Sequence, residues 1–392
     1  MGRRAEPGAL LRIAHVTPYY HPHVGGVETY VRNIARLHRA QGHEVCVLTS
    51  RHDRQLPREE VVEGVPVVRV AQRAHLFATP ITPGLRGAVR AGGFDLVHLH
   101  APPPLSSYYA AKGAAAAGIP VVMTYHCDLE IHRRLGGTLA ELYRRTLGAA
   151  TLRRTAAIVA TSDSYAATSR AVWDRAARII PVGVELERFR PGLAPAPALA
   201  ELPFPFVILF VGRLAAHKGV PTLLEALGAL PRQAGLVIVG GGPMGATVRQ
   251  RVAELGLQER VHLAGPVDSA ALPHYYAAAS AFVLPSTSRL EAFGIATLEA
   301  MASGLPVITS DMPGVRELVE HGVDGLLCQP FDPKDLAAQL RRLIDDPQLA
   351  ATLGRNARHS VERRFSWEGV SAQLLEVYRS VLDDHVRRAL PS

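Results

Sequence analysis

The sequence predicts an α/β protein built from two doubly wound domains in one chain. Three observations carry that expectation. Short apolar runs alternate with amphipathic helical stretches along most of the length, as in parallel sheets flanked by helices. Residues 191–205 are rich in Pro and Ala and interrupt the alternation, because proline restricts the backbone and removes donors. A fresh strand, Phe206–Val211, then runs into a Gly-bounded loop and a helix. The chain of 392 residues is long enough for two cores. The expected division is residues 1–190, residues 191–366 and a final helix, residues 367–392.

In the first half, residues 11–17 read as a buried strand and residues 18–26 as a loop. A helix is expected over residues 27–41, with Tyr30, Val31, Ile34 and Leu37 on one face and Gly42 as its stop. Gly25 and Gly26 precede it. Two glycines there either let the backbone approach a ligand closely or make a tight turn. The motif G-x-G-x-x-G is absent, which argues against a dinucleotide-binding oxidoreductase. Further strands are expected at residues 43–49, 65–71, 95–100, 120–125, 156–160 and 178–182. His126 follows the strand at residues 120–125, at a carboxyl end, where ligands of open α/β sheets bind. Between residues 131 and 155, Arg133, Arg134, Arg144, Arg145, Arg153 and Arg154 come in pairs among leucines. Such a helix can rest on an anionic membrane, although a solvated Arg face on an ordinary surface helix is the commoner origin.

In the second half, the strand at residues 206–211 leads into Gly212-Arg213-Leu214 and then Lys218-Gly219. The chain has 40 Arg and only three Lys, so a lysine in a glycine-bounded loop at a strand end suggests selection for a compact point charge, as a phosphate would want. A strand ends at Gly240-Gly241-Gly242, and another leads to Val267. Glu291 and Glu299 then stand eight positions apart. With a helix starting near Gly294, Ile295, Leu298 and Ala302 form an apolar stripe, Glu291 lies on the loop in front and Glu299 one turn inside. The free N–H groups of that helix end suit a phosphate, and the two carboxylates flank it as hydroxyl acceptors. A sugar–diphosphate–ribose ligand has this order of groups. The alternative is two surface acids, one favoured by the helix dipole and one solvated. The last helix carries Trp367, Val370, Leu374, Tyr378 and Val381 on a broad apolar face and should pack on a partner element.

With 48% hydrophobic and 20% charged residues the composition is that of a soluble globular protein. No apolar run is long enough to span a membrane, and Arg12 and His15 interrupt the one near the start, against a signal peptide. Cys46, Cys127 and Cys328 are scattered, which excludes a disulfide framework or zinc spacing and suits a reducing cytoplasm. Residues 1–190 hold 25 Lys+Arg against 15 Asp+Glu, a charge of +10, so the remainder carries −2 of the net +8. That excess points the first half at an anionic acceptor or surface. Nucleic acid is not expected as a partner, because no nucleic-acid module signature appears and the basic residues are not interleaved with aromatics.

The stretch Glu291-Ala292-Phe293-Gly294 through Glu299 resembles the E-x7-E signature of the retaining nucleotide-sugar glycosyltransferases of family 4. The resemblance extends over nearly the whole chain and implies a GT-B fold, two Rossmann-like domains facing across a cleft. It also implies roles. Gly25 and Gly26 border the donor phosphates, His126 reaches the donor hexose, Arg213 and Lys218 hold the diphosphate, and the loop carrying Val267 borders the base. Glu291, Phe293, Gly294, Ile295 and Glu299 complete the substrate-binding set, with His126, Arg213, Lys218 and Glu291 at the reacting centre. The last helix crosses back to the first domain. Pro313 stands where a second glycine is common in the family's Gly-x-x-Glu turn.

The expected reaction is retaining hexose transfer from a nucleoside diphosphate sugar to a saccharide, lipid-linked or small-molecule hydroxyl. The nucleotide sugar is then a substrate and no cofactor is expected. No metal is expected either, since Asp-x-Asp is absent and fixed positive charges are present. Glu-Ala-Phe-Gly and Tyr125-His126-Cys127-Asp128 resemble the mannosyltransferase branch most, favouring GDP-mannose. The expected location is cytoplasmic, with possible peripheral contact at the inner membrane face. The rival readings are a hydrolase or epimerase of nucleotide sugars on the same fold, a UDP-glucose- or UDP-GlcNAc-dependent transferase, and a non-catalytic scaffold.

Overall fold

The computed structural model describes residues 9–23, 25–76, 79–102, 104–129, 136–199 and 202–389. Two compact units emerge, residues 1–181 with 367–392, and residues 182–366.

The first unit opens with β1 (Arg12–Val16), α1 (Gly26–Ala40), β2 (Glu44–Arg51), β3 (Glu59–Val62), β4 (Val65–Ala71), β5 (Ala74–Leu76) and β6 (Thr79–Ile81). It continues with α2 (Gly84–Ala91), β7 (Leu96–Ala101), α3 (Pro104–Ala117), β8 (Val121–Tyr125), α4 (Gly136–Tyr143), a π-helical turn Arg144–Gly148, α5 (Ala149–Leu152), β9 (Ala157–Ala160), α6 (Asp163–Thr168) and β10 (Ala177–Ile179). Its sheet runs β10-β9-β8-β7-β1-β2-β4-β3, and every pairing is parallel except β3 with β4. The order reverses between β1 and β7, which makes that the topological switch point.

The two faces of this sheet differ in chemistry because alternate residues of a strand point to opposite sides. Ala14, Val16, Val97, Leu99, Val121 and Met123 build one face and pack with Leu85, Val89 and Ala110 of α2 and α3 into an apolar core. His15 lies opposite His98 across β1 and β7, and His100 lies opposite Thr124 across β7 and β8. All four are fully buried. They meet Tyr30 and His38 of α1 and Tyr378 of the last helix.

The second unit contains β11 (Phe206–Val211), α7 (Val220–Gly228), β12 (Ala234–Val239), α8 (Gly245–Glu254), β13 (Val261–Gly265), α9 (Leu272–Ala277), β14 (Ala281–Leu284) and α10 (Ile295–Ala302). It ends with β15 (Val307–Ser310), β16 (Leu326–Cys328), α11 (Pro333–Asp345) and α12 (Pro347–Arg364). Its sheet is wholly parallel, in the order β13-β12-β11-β14-β15-β16. Strand β12 is buried throughout, as expected of a strand covered on both faces. The switch point lies between β11 and β14.

Helix α13 (Trp367–Ala389) belongs to the first unit. Trp367 stacks edge-on against Tyr30 at 5.6 Å, and Tyr378 Oη lies 2.6 Å from His98 Nδ1.

The structure corrects three expectations. The division falls after Pro181, not after Arg190, because Val184 donates its N–H to the Phe365 carbonyl at 2.8 Å and Phe189 packs edge-on against Tyr276. The expected basic helix runs unbroken from Gly136 to Leu152 but carries a π-helical turn between α4 and α5; Arg144 and Arg145 both pair with Glu141, and Arg133 and Arg134 lie outside the described residues. Strand β3 and the β5–β6 hairpin were not expected.

Candidate active site

In the second unit Arg213 and Lys218 follow β11, and Glu291, Phe293 and Gly294 follow β14, on either side of the switch point, whereas Val267 follows the edge strand β13. The loop after β11 carries Arg213, which is exposed, and Lys218, which folds back so that its Nζ would lie 3.6 Å from a Cβ on Gly212. Gly219 ends that loop with φ +69°, and a side chain there would collide with the Pro285 carbonyl oxygen. Glycine therefore lets this loop lie against the chain leaving β14. Thr287 N–H seals the contact by donating to the His217 carbonyl at 2.8 Å. The result is that Lys218 reaches Glu291: the two form an ion pair, with side-chain exposures of 15% and 10%.

Glu291 is buried on the loop before α10, and Gly294 caps that helix with φ +74°. Ile295 is its first residue. The first N–H groups of a helix have no acceptor inside it and carry partial positive charge, so this end presents donors beside the Lys218–Glu291 pair. Phe293 lies between Glu291 and Gly294, but its ring is buried edge-on against Phe365 at 6.1 Å. Its side chain thus packs this loop against Phe365.

Glu299 is neither a freely solvated surface acid nor part of that ion pair. Tyr276 Oη donates to its Oε2 at 2.7 Å, and burial pushes its carboxyl up to about 7, opposed by the Tyr276 bond and the charge of Arg188. Arg188 in turn donates to Ser269 Oγ at 2.6 Å and to the Ser269 carbonyl. Ser269 lies two residues beyond Val267, which is half-buried. Arg188 therefore ties the Val267 loop to the neighbourhood of Glu299. Neither Tyr276 nor Arg188 stands in a motif, and no sequence signal marked them.

In the first unit, Gly25 caps α1 and Gly26 begins it. A side chain at Gly25 would collide with the carboxylate of Glu28, which folds back over this helix end and lies 3.4 Å from His23 Nδ1. Burial raises the Glu28 pKa, against its own backbone N–H and His23. His126 follows β8; its N–H donates to the Ala101 carbonyl at 2.8 Å and its Nε2 lies 3.2 Å from His100 Nδ1. His100 Nε2 lies 3.1 Å from His15 Nδ1. Among the described residues His15, His98 and His100 form the one group with spacing suited to a metal. Both nitrogens of His98 are engaged, by Tyr378 Oη and by Thr124 Oγ1 at 2.8 Å, and so are both of His100. A cavity of about 240 Å³ opens beside the carboxyl end of β8, lined by Tyr125, Asp128, Tyr143, Arg144 and Arg170.

Residues 24–188 match the family model Glycosyltransferase Family 4, and residues 200–360 match Glycosyl transferases group 1. The chain is 32% identical to a D-inositol 3-phosphate glycosyltransferase of Thermobispora bispora, over 99% of this chain and 98% of the relative. The structure of a sucrose-phosphate synthase from Thermosynechococcus elongatus superimposes with a TM-score of 0.81 at 29% identity, over 95% of this chain and 99% of that one. The fold is shared as well by Anabaena HepE in complex with UDP-glucose, with a TM-score of 0.77 at 24% identity over 94% of this chain and all of the other. The two Rossmann-like units with parallel sheets match that architecture, and no helix among the described residues is long and apolar enough to cross a membrane. The chain is therefore a GT-B glycosyltransferase and belongs to family 4, the glycosyl transferases group 1.

Proposed function

We propose that this enzyme moves a hexose from a nucleoside diphosphate to a hydroxyl of an anionic acceptor, with retention at the anomeric carbon and without a metal. The observation that carries the reading is the Lys218–Glu291 pair beside the N-terminal end of α10 at the switch point. Transfer breaks the bond from C1 to the phosphate oxygen and forms one from C1 to the acceptor oxygen. Its difficult part is the charge arriving on the diphosphate, and preorganised positive groups stabilise that charge best. Arg213, Lys218 and the N–H groups at Gly294 and Ile295 are such groups. Glu291 takes hexose hydroxyls, Glu299 the ribose hydroxyls, and the Val267 loop borders the base.

No carboxylate is assigned as a nucleophile here. The acceptor attacks on the face the diphosphate leaves, its proton passes to a phosphate oxygen, and the protein's work is positioning and electrostatics. By resemblance Gly25 and Gly26 serve the donor phosphates and His126 the hexose. The positive excess of residues 1–190 suits an anionic acceptor, and the Thermobispora relative is named for one, D-inositol 3-phosphate. Saccharide and lipid-linked hydroxyls are the other acceptors this reading admits, with GDP-mannose as the donor suggested by the Glu-Ala-Phe-Gly motif. Exposed Trp173, beside Arg144 and Arg170, would serve a peripheral contact with an anionic membrane.

The test offers GDP-mannose, UDP-glucose and UDP-GlcNAc in turn with D-inositol 3-phosphate in EDTA, and reads the anomeric proton of the product by NMR. A product with the donor's configuration is expected from one of them. An inverted product, or free sugar released as fast without acceptor as with it, overturns the reading.

A further inference from the structure

His126 meets its surroundings through a chain of imidazoles, not alone. His126 Nε2 faces His100 Nδ1 at 3.2 Å, and His100 Nε2 faces His15 Nδ1 at 3.1 Å. The rings meet edge to edge and nearly coplanar, as in-plane N–H donation requires, with centroids 5.5 and 5.4 Å apart and planes inclined by 24° and 23°. All three are buried in the first unit, and burial pushes His15 and His126 down to about 3 and His100 well below its ordinary value, so the rings are neutral.

A neutral imidazole has one N–H donor and one acceptor nitrogen. Two neighbouring bonds in such a chain must therefore run the same way, and the far end decides which. His15 Nε2 is buried and meets no hydrogen-bond partner. If the chain ran inward from His126, that nitrogen would carry a buried N–H with no acceptor. Running outward, it keeps only an unused lone pair, and orphaned buried donors are the rarer and more costly case.

We infer that the buried chain runs outward from His15 through His100 to His126, each ring donating through Nδ1, so that His126 offers an Nδ1–H donor to a ligand oxygen while His100 and His15 act as positioning residues. This rests on the reading of His126 as a donor-sugar contact, and it makes that contact a donated hydrogen bond to a sugar oxygen. It also assigns a use to two buried histidines that the proposed chemistry leaves idle.

The test is nitrogen-15 NMR of the histidine rings in the intact, ligand-free enzyme, which needs no substitution. His126, His100 and His15 are all expected as neutral Nδ1–H tautomers; an Nε2–H tautomer at His126 overturns the chain. In His100→Leu the His126 tautomer is expected to become mixed, and in His100→Asn, whose amide can donate in place of Nδ1–H, to return to Nδ1–H. A His126 tautomer untouched by His100→Leu overturns the positioning role. For turnover, His126→Asn keeps a donor near the Nδ1 position and is expected to exceed His126→Gln by about tenfold. Equal rates with the expected tautomers in place would overturn the sugar contact and leave the chain itself standing.

Discussion

Lys218 and Glu291 form an ion pair that joins the loop after β11 to the loop before α10, and each is mostly withdrawn from water. A charge left alone in such a place is costly, whereas removing both charges together is far less so. Lys218→Met and Glu291→Gln are each expected to lower the unfolding free energy by about 3 kcal/mol, and the double variant by clearly less than the sum. Denaturant titration of the four proteins checks this. Additive losses would show that the pair contributes no coupling.

Arg213 is the complementary case, because it is exposed. Arg213→Ala should unfold within about 0.5 kcal/mol of wild type yet turn over about a hundredfold more slowly, as for loss of one preorganised donor at a charged leaving group. A wild-type rate would remove Arg213 from the diphosphate site.

Fixed charges from Arg213, Lys218 and the α10 end should make an added metal superfluous. Equal rates are expected in EDTA and in magnesium or manganese. Activity lost on chelation and restored by the metal would contradict the proposed mechanism.

Burial of Glu299 sets a pH dependence, which the Tyr276 bond moderates. Burial raises the Glu299 carboxyl to about 7 from an ordinary 4.5, so between those values the folded enzyme binds more protons than the unfolded chain. Its contribution to stability is therefore lost as pH rises from about 4.5 to 7 and is constant above. A ribose diol donates best to the ionised form, so donor affinity should rise about tenfold from pH 6 to pH 8. The rise should vanish in Glu299→Gln. In Tyr276→Phe, which removes a bond that lowers the carboxyl, the rise should move to higher pH. Calorimetry across that range decides it, and a pH-independent wild type would contradict the assignment.

Much of the fold was legible because its signals are local. Strand β11 occupies Phe206–Val211 as expected, and α10 begins after Gly294, as the apolar stripe required. The edge strand β3 reads Glu-Glu-Val-Val and has charges where a buried strand would have apolar residues, so its pattern was not visible. The site was legible as a set of motifs and not as a set of contacts. Arg188, Tyr276 and Glu299 are brought together by the tertiary fold across more than a hundred positions of sequence, and no spacing rule reaches that far. The histidine chain draws on β1, β7 and the end of β8, and becomes visible only when the sheet order is known. The Lys218–Glu291 pair was hidden for the same reason: each residue was assigned a ligand group, and their mutual contact depends on Gly219 lying against Pro285.

The most direct measurement is calorimetric titration of the bare nucleoside diphosphate and of the intact donor into wild type, Glu291→Gln and Glu299→Gln. Glu299→Gln exchanges one acceptor oxygen for a donor and should weaken both ligands alike, by about 1.5–3 kcal/mol. Glu291→Gln should weaken the intact donor only, because its hexose partner is missing from the bare diphosphate, and freeing Lys218 should leave diphosphate affinity equal or tighter. If Glu291→Gln loses diphosphate affinity as strongly as Glu299→Gln, Glu291 is holding the loop and the central assignment is contradicted.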